Sequence, residues 1–359
     1  MQLKHVVRFP VDIRRAQKIL ASRVTSTAAL TERPIALDLY TDQMLFDCGR
    51  HFASLAHHSR EIGSPFFVRG SRLLLASVAR KIHGAEMLAE EHATWLRPNA
   101  PLPTDAVALC DVPVSQAKRT GMGARQIEMM IGRDILPQRP VMPYPMHPAT
   151  LRHSDTESRV ALRSKFTREA ILFAGSQKSK YGHQKMKQSF GVLSRLHILQ
   201  VLSEFAANDV AIPIRLQDSA ETPIASSQWL PFLAQHRFFV CCPGAAQPMC
   251  HNLIEAMSVG TIPLIEYGDR LRPQLTDGEN AICFRGADGL RDAIKRIQQL
   301  PESRLDAISR SAAAFYDEHL CGKTFLAAVR DETLDLTEGQ IVMPFHSENF
   351  FTLTRPQVA

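Results

Sequence analysis

Short apolar runs alternate with amphipathic stretches along the chain, and this alternation predicts strands separated by helices. The first half is α/β in pattern but irregular in order. Its predicted strands are 34–40, 64–70 and 106–113, and its predicted helices are 47–62, 71–82 and 123–132. Ser71 stands where the second of these helices begins and is a suitable N-cap.

The second half alternates more regularly. Its predicted strands are 168–176, 210–216, 237–242, 261–267 and 280–284. Its predicted helices are 184–207, a short one at 227–233, one starting at His251, 288–300 and 302–320. Strands and helices that alternate at this spacing are typical of a parallel, doubly wound sheet.

Five prolines fall between residues 137 and 148, and such a density excludes a helix or a central strand. We interpret this stretch as a linker. It divides the 359 residues into an N-terminal domain, 1–145, and a C-terminal domain, 146–320. Residues 321–359 form a tail that we expect to pack back on the first domain.

The charge balance is mildly basic, with 42 Lys and Arg against 36 Asp and Glu, a net charge of +6. This excess suits an anionic substrate, a phosphate-bearing ligand or an acidic membrane surface, and ordinary solubility charge is the simpler interpretation. Nucleic acid is not expected as a partner, because no basic-aromatic RNA-binding pattern and no Cys/His finger spacing occur.

The seven cysteines are scattered, and several stand in apolar runs, so we interpret them as core residues of a reducing compartment. No Cys-x-x-Cys or His-Glu-x-x-His spacing indicates a zinc site. The first 15 residues carry charges within their apolar run and do not resemble a signal peptide. No stretch approaches the roughly 20 apolar residues of a membrane span. A cytoplasmic protein is expected, with peripheral association at the inner face of a membrane left open.

The helix starting at His251 follows the strand 237–242 and therefore begins at the carboxyl edge of the predicted sheet, where open parallel sheets bind ligands. A helix N-terminus offers free N–H groups and partial positive charge to a phosphate. His251 and Glu255 lie on one face of this helix, and Glu255 is suited to accept hydrogen bonds from sugar or ribose hydroxyls. The alternative is that Glu255 is a surface residue favoured by the helix dipole.

The same region resembles the donor-binding end of GT-B glycosyltransferases, of both the retaining and the exostosin-like type. The matching features are Glu255, Gly260, Pro263, the loop 276–280 and the helix 288–294. The strand "ILFAGS", followed by basic residues, resembles the opening of the GT-B donor domain. The resemblance covers roughly residues 168–320 and implies two Rossmann-like α/β domains facing a cleft.

The resemblance implies that the second domain holds a nucleotide-sugar donor, with Glu255 on the ribose and cations on the diphosphate. The implied donor-side residues are Glu255, His251, Asn252, Gly244, Lys178, Lys180, Arg195 and Arg163. The chain has no Asp-x-Asp pair of the kind that holds a divalent ion in the other common glycosyltransferase fold. This fits the GT-B scheme without a metal, and no cofactor is expected.

Inverting transfer needs a general base for the acceptor hydroxyl. Asp42 and Asp111 follow predicted strands of the first domain and are the candidates, with His57 and His58 as alternatives on a helix. A retaining enzyme does not require such a base. If the exostosin-like resemblance is the closer one, inversion is expected.

The function expected from these features is sugar transfer from a nucleotide sugar to a glycan or lipid-linked acceptor, in surface polysaccharide or glycoconjugate biosynthesis. Two alternatives stay open. One is a nucleotide-sugar epimerase of the same fold, which would change its substrate without an acceptor. The other is a non-catalytic partner subunit that binds no nucleotide.

Overall fold

The chain forms two compact units in a computed structural model. The structure describes residues 3–23, 30–41, 44, 48–119, 124–131, 139–182, 185–207, 212–244 and 247–344. Unit 1 holds the described residues up to Pro148 and those from Gly322 onward, and unit 2 holds Ala149–Cys321. Both units are α/β with parallel sheets, which confirms the expected fold class. The arrangement of the two units across a cleft stays a prediction.

Unit 1 has a parallel sheet flanked by helices. Its described helices are α1 Leu3–Ala21, α2 Cys48–Glu61, α3 Arg72–Arg80, α4 Ile82–Ala89 and α13 Gly322–Arg330. Its described strands are β1 Ile35–Asp38, β2 Phe66–Arg69, β3 Ala93–Leu96, β4 Val107–Cys110, β5 Arg125–Ile131 and β11 Gln340–Met343. The strand order is β11-β5-β4-β1-β2-β3.

Unit 2 repeats this plan with a smaller sheet in the order β10-β9-β8-β6-β7. Its described strands are β6 Glu169–Ala174, β7 Ile214–Gln217, β8 His236–Cys241, β9 Ile262–Ile265 and β10 Ile282–Cys283. Its described helices are α5 Pro148–Leu151, which spans the junction between the units, α6 Thr156–Lys165, α7 Lys185–Phe190, α8 Arg195–Ala206, α9 Ser226–Ala234, α10 His251–Ser258, α11 Gly286–Ile297 and α12 Glu302–Phe315.

The central strands are largely apolar because both faces of each sheet are covered. In β1, Ile35 and Leu37 join the large core of unit 1, while Ala36 packs on the opposite face with Ala108. All six residues of β8 are buried at the centre of the second sheet. This burial fixes the strand ends, where the loops that carry polar groups begin.

The tail packs back on the first unit, as expected, and it also adds a strand to the sheet, which was not expected. Helix α13 packs against α2, and β11 pairs with β5, with Gln340 opposite Glu128. The proline-rich stretch runs beside this edge, where the Met142 N–H donates to the carbonyl of Val342 over 2.8 Å.

Two element predictions are wrong. In the predicted helix 123–132, the described residues 125–131 form strand β5 instead, with Ile127, Met129 and Ile131 buried in strand alternation. The expected long helix over 184–207 is two helices in the described residues. Gly191 adopts a left-handed φ of 69° and ends α7, and Ser194 then caps α8.

Seven of the helices and strands named above were not anticipated: α1, α4, α5, α6, α13, β3 and β11. The Ser71 cap is confirmed, since its hydroxyl accepts from the Leu74 N–H over 3.1 Å. Among the helices in the described part of the chain, none combines the length and the apolar character that crossing a bilayer requires.

Candidate functional site

The second sheet has a topological switch point between β6 and β8. The chain runs from β6 to the edge strand β7 and then returns to the other side of β6 as β8. The loops that leave these two neighbouring strands therefore diverge, and such a point at the carboxyl edge is where open parallel sheets bind ligands. The loops begin at Gly175 after β6 and at Cys242 after β8.

Arg195 bridges the two loops at this switch point. Its guanidinium donates to the carbonyl of Ser176 over 3.4 Å and to that of Pro243 over 3.2 Å. The group also lies 3.9 Å from the centre of the Tyr181 ring. A β-carbon on Gly175 would come within 3.3 Å of an Arg195 nitrogen, so a glycine at that position leaves room for the guanidinium.

The Nε–H of Arg195 is buried and has no hydrogen-bond partner among the described residues. The whole residue is only 8% exposed. A buried charged group with an unused donor is costly unless an acceptor is supplied, by water or by a ligand. The environment of Arg195 is therefore suited to an anion.

Helix α10 begins beside this position. Its first residue is His251, and the N-cap residue Cys250 offers no side-chain acceptor to the first turn. The ring of His251 lies 3.8 Å from the sulfur of Cys250, and Asn252 is half-buried. In the preceding loop, a β-carbon on Gly244 would stand 2.9 Å from the carbonyl of Gln247, so this glycine serves the fold of the loop.

Glu255 lies in the second turn of α10 and is fully buried. Its Oε2 accepts a hydrogen bond from the indole N–H of Trp229, on α9, over 2.7 Å. Solvent does not reach the carboxylate in this conformation. Gly260, just past the helix, has φ 74° and ends it as expected.

The remaining predicted donor-side cations lie at two different places, two of them on the loop after β6 and one far from it. Lys178 is exposed on the loop after β6, and the backbone of Lys180 belongs to a 3₁₀ turn in the same loop. Arg163 is at the opposite end of α10: it donates to the carbonyl of Ser258 and forms two 2.7 Å bonds to Asp317. The structure therefore does not bring Arg163 to the switch point.

The first sheet has its own switch point between β1 and β4. Asp111 spans it, because its carboxylate accepts from the N–H of Tyr40 over 2.6 Å and from that of Thr41 over 2.9 Å. The Thr41 hydroxyl donates to it as well. Burial raises the pKa of Asp111, although these hydrogen bonds oppose the change. Both carboxylate oxygens are thus occupied in fixing the end of β1.

The other base candidates are elsewhere or not described. Asp42 lies outside the described residues. His58 is buried where α13 meets α2, and its Nδ1 is 2.7 Å from Glu61. His57 is its edge-on neighbour. The structure places neither histidine at the switch point of the first sheet.

A cavity of about 530 Å³ lies at the ends of β9 and β10, and Arg195 is not among the residues that line it. Its charged lining is mixed, with Asp277 paired to Arg296 and Asp269 to Arg285. Glu266 also reaches it, but this carboxylate accepts from two backbone N–H groups. No cluster of His, Cys, Asp and Glu side chains suited to a metal ion occurs among the residues described.

Comparisons with known proteins give distant structural matches. No family model and no curated protein matches the sequence. AviGT4, a glycosyltransferase of avilamycin A biosynthesis, is 12% identical over 84% of this chain and 98% of its own, with a TM-score of 0.42. HepE from Anabaena, solved with UDP and glucose, is 12% identical over 84% of this chain and 100% of its own, with a TM-score of 0.39. A glycosyltransferase from Rickettsia africae ESF-5 is 11% identical over 86% of this chain and 100% of its own, with a TM-score of 0.36. These values are too low to assign a family to this chain.

Sequence patterns did not point to two further groups at the carboxyl edge. The buried hydroxyls of Ser176 and Tyr267 have no hydrogen-bond partner in the described chain. Burial raises the pKa of Tyr267, which stays neutral near the thiols of Cys241, Cys242 and Cys250. The only available sign was their position, since each is the last residue of a predicted strand.

Proposed function

We propose that this chain is a glycosyltransferase whose second unit holds a nucleotide-sugar donor at the switch point between β6 and β8. The observation that supports this most directly is the buried guanidinium of Arg195, which bridges the two loops and keeps one N–H unused. The start of α10 lies beside it and adds a second group suited to phosphate. The GT-B-like sequence pattern around Glu255 agrees with this assignment.

The chemistry needs these groups. Attack by an acceptor hydroxyl breaks the bond between the sugar and the diphosphate, and negative charge grows on the departing diphosphate. A fixed cation stabilises that charge more in the transition state than in the ground state. In this proposal Arg195 and the N–H groups of α10 take that role, and Lys178 approaches from its exposed loop. The chain's own charges serve in place of a metal ion.

On the acceptor side, the proposal is a glycan or lipid-linked hydroxyl, in the biosynthesis of a surface polysaccharide or glycoconjugate. The candidates for the general base are still Asp42 and Asp111. Asp111 can serve as a base only by releasing one of its hydrogen-bond donors, and the Thr41 hydroxyl is the side-chain donor among them.

The test is to measure the binding of a panel of nucleoside diphosphates by thermal shift and calorimetry. Wild type is expected to bind at least one of them. Arg195→Met should weaken that binding roughly 10- to 100-fold, the range for losing a hydrogen bond to a charged group. The matched control is Arg270→Met, because Arg270 also stacks on a ring, that of Phe190, and donates to a carbonyl, but away from the switch point.

Equal affinity in wild type and Arg195→Met would contradict the donor site, and no binding at all would favour a non-catalytic subunit. Product analysis with the nucleotide sugar of the best-bound diphosphate then tests the reaction. Release of an altered nucleotide sugar without any acceptor would replace transfer by epimerisation.

A further inference from the structure

Helix α1 has two distinct faces. Its inner face carries Phe9, Ile13, Ala16 and Leu20, which pack on the core of unit 1. Its outer face follows the positions i, i+4, i+7 and i+11 from residue 7, which form one stripe at 3.6 residues per turn. The residues of that stripe are Val7, Val11, Arg14 and Lys18.

The apolar end of this stripe is unusually exposed. Val7 is 70% exposed and Val11 is 66% exposed. Ile82, the first residue of the neighbouring helix α4, is also 66% exposed. These are three of the five large apolar side chains most exposed in the described part of the chain. An isolated exposed valine is ordinary, but two on successive turns of one helix face mark a surface patch.

The polar end of the stripe is cationic. Helix α1 contains five Lys and Arg residues and one acid, so it holds a net charge of +4 of the chain's +6. The single acid, Asp12, is buried on the inner side and lies 3.6 Å from Arg80 of α3. Arg14, Arg15 and Lys18 are exposed. The outer face therefore presents cations with no acid among them.

We propose that the outer face of α1 docks on an anionic lipid surface. An interfacial helix of this kind inserts apolar side chains at the headgroup boundary while its cations bind acidic headgroups. Charge alone would fit a nucleic acid equally well. The two exposed valines on the cationic stripe favour the membrane, because a phosphate backbone offers them no apolar contact.

The experiment is co-sedimentation of the full chain with vesicles. One set is phosphatidylcholine alone, and the other contains phosphatidylglycerol as well. Wild type is expected to sediment with the anionic vesicles only. Val7→Glu with Val11→Glu should reduce the partition coefficient roughly tenfold or more. Arg14→Gln with Lys18→Gln should reduce it roughly 25-fold, since each cation near an anionic surface contributes about a factor of five.

The control is Val160→Glu, which makes one such substitution at an exposed valine of α6 in unit 2. It should sediment as wild type does. The proposal is overturned if wild type does not prefer anionic vesicles, or if Val160→Glu lowers binding as much as the α1 variants. Tighter binding to an oligonucleotide, lost in Arg14→Gln with Lys18→Gln but kept in the valine variant, would also overturn it. This result does not depend on the donor site, because nucleotide binding by unit 2 is measured separately.

Discussion

Glu255 is the residue whose burial needs the most explanation. A carboxylate at 0% exposure is stable only when hydrogen bonds satisfy it, and the indole of Trp229 supplies one of them at 2.7 Å. Trp229 is itself only half-buried. Donor binding at Glu255 would therefore require the indole to move and release the carboxylate.

Two variants separate a donor-binding Glu255 from a structural one. Glu255→Ala should weaken nucleoside diphosphate binding by about 1–3 kcal/mol, the cost of losing a hydrogen bond to a charged group. Trp229→Phe removes the indole N–H and leaves the carboxylate, so affinity should stay equal or rise. Calorimetry measures both.

If both variants lower the melting temperature while neither changes affinity, Glu255 belongs to the core alone. Glu255→Gln, which keeps the side-chain shape, covers the case in which the alanine variant does not fold.

Among the helices and strands, prediction succeeded where the pattern was long and both faces of the element were buried. Strands β6, β8 and β9 are recognisable from their apolar runs. It failed where a single residue ends an element, as at Gly191, whose left-handed φ interrupts an otherwise continuous helical pattern. It also failed at β5, because a run with two adjacent methionines fits a helix and a strand equally well.

The site was predictable only in part, for a related reason. The position of α10 at the carboxyl edge follows from strand order, which the sequence suggests. Hydrogen-bond partners do not follow from it. Arg163 bonds Asp317, 154 residues away, and Trp229 reaches Glu255 across 26 residues. The spacing of residues along the sequence does not predict contacts over such distances in the chain.

The contact between α13 and α2 gives a test at the level of the helix pair. A β-carbon on Gly322 would collide with the ring of the buried His58, which Glu61 holds in place. Gly322→Ala should therefore lower the stability of unit 1 by about 1–3 kcal/mol in chemical denaturation.

The control is Gly289→Ala in α11, where the added methyl meets only ordinary contacts and should leave stability equal or slightly higher. Combining Gly322→Ala with His58→Ala should recover part of the loss. If Gly322→Ala is as stable as wild type, the contact between α13 and α2 can widen with no loss of stability, and the prediction is wrong.

At the scale of the whole molecule, the two units share one structural feature. Each has a switch point bridged by a buried charged side chain, Asp111 in unit 1 and Arg195 in unit 2. The two side chains differ in whether they keep a hydrogen-bonding group without a partner. Both oxygens of Asp111 are occupied, whereas Arg195 keeps one N–H without a partner in the described chain. That asymmetry supports the proposed donor site in unit 2.

The acid stability of the molecule should depend on His51. Burial, and then the charge of Arg50, lowers the pKa of His51 to about 3. The folded state therefore keeps this ring neutral, while the unfolded chain takes up a proton below about pH 6.5. Its contribution to stability is complete above that pH and is lost as the pH falls toward 3. At pH 5 the loss is about 2 kcal/mol.

His51→Phe keeps a ring for the edge contact with Tyr144 and should flatten the decline in stability between pH 7 and pH 5. His153→Gln, at an exposed position, is the control and should decline as wild type does. Denaturation at both pH values measures the effect, and an unchanged slope in His51→Phe would assign the acid sensitivity to other groups.

The pairing of β11 with β5 has a consequence for biosynthesis. The side chains of Glu128 and Gln340 that meet across this pair are 212 residues apart. A ribosome adds roughly 5–20 residues per second, so on the order of 10–40 s separates the two strands at birth. During that interval β5 emerges with one border unpaired, while all of unit 2 is made. The sheet of unit 1 therefore stays incomplete until the last strand is synthesised. A stalled or truncated product would expose the unpaired edge of β5, to which strands of other chains could pair.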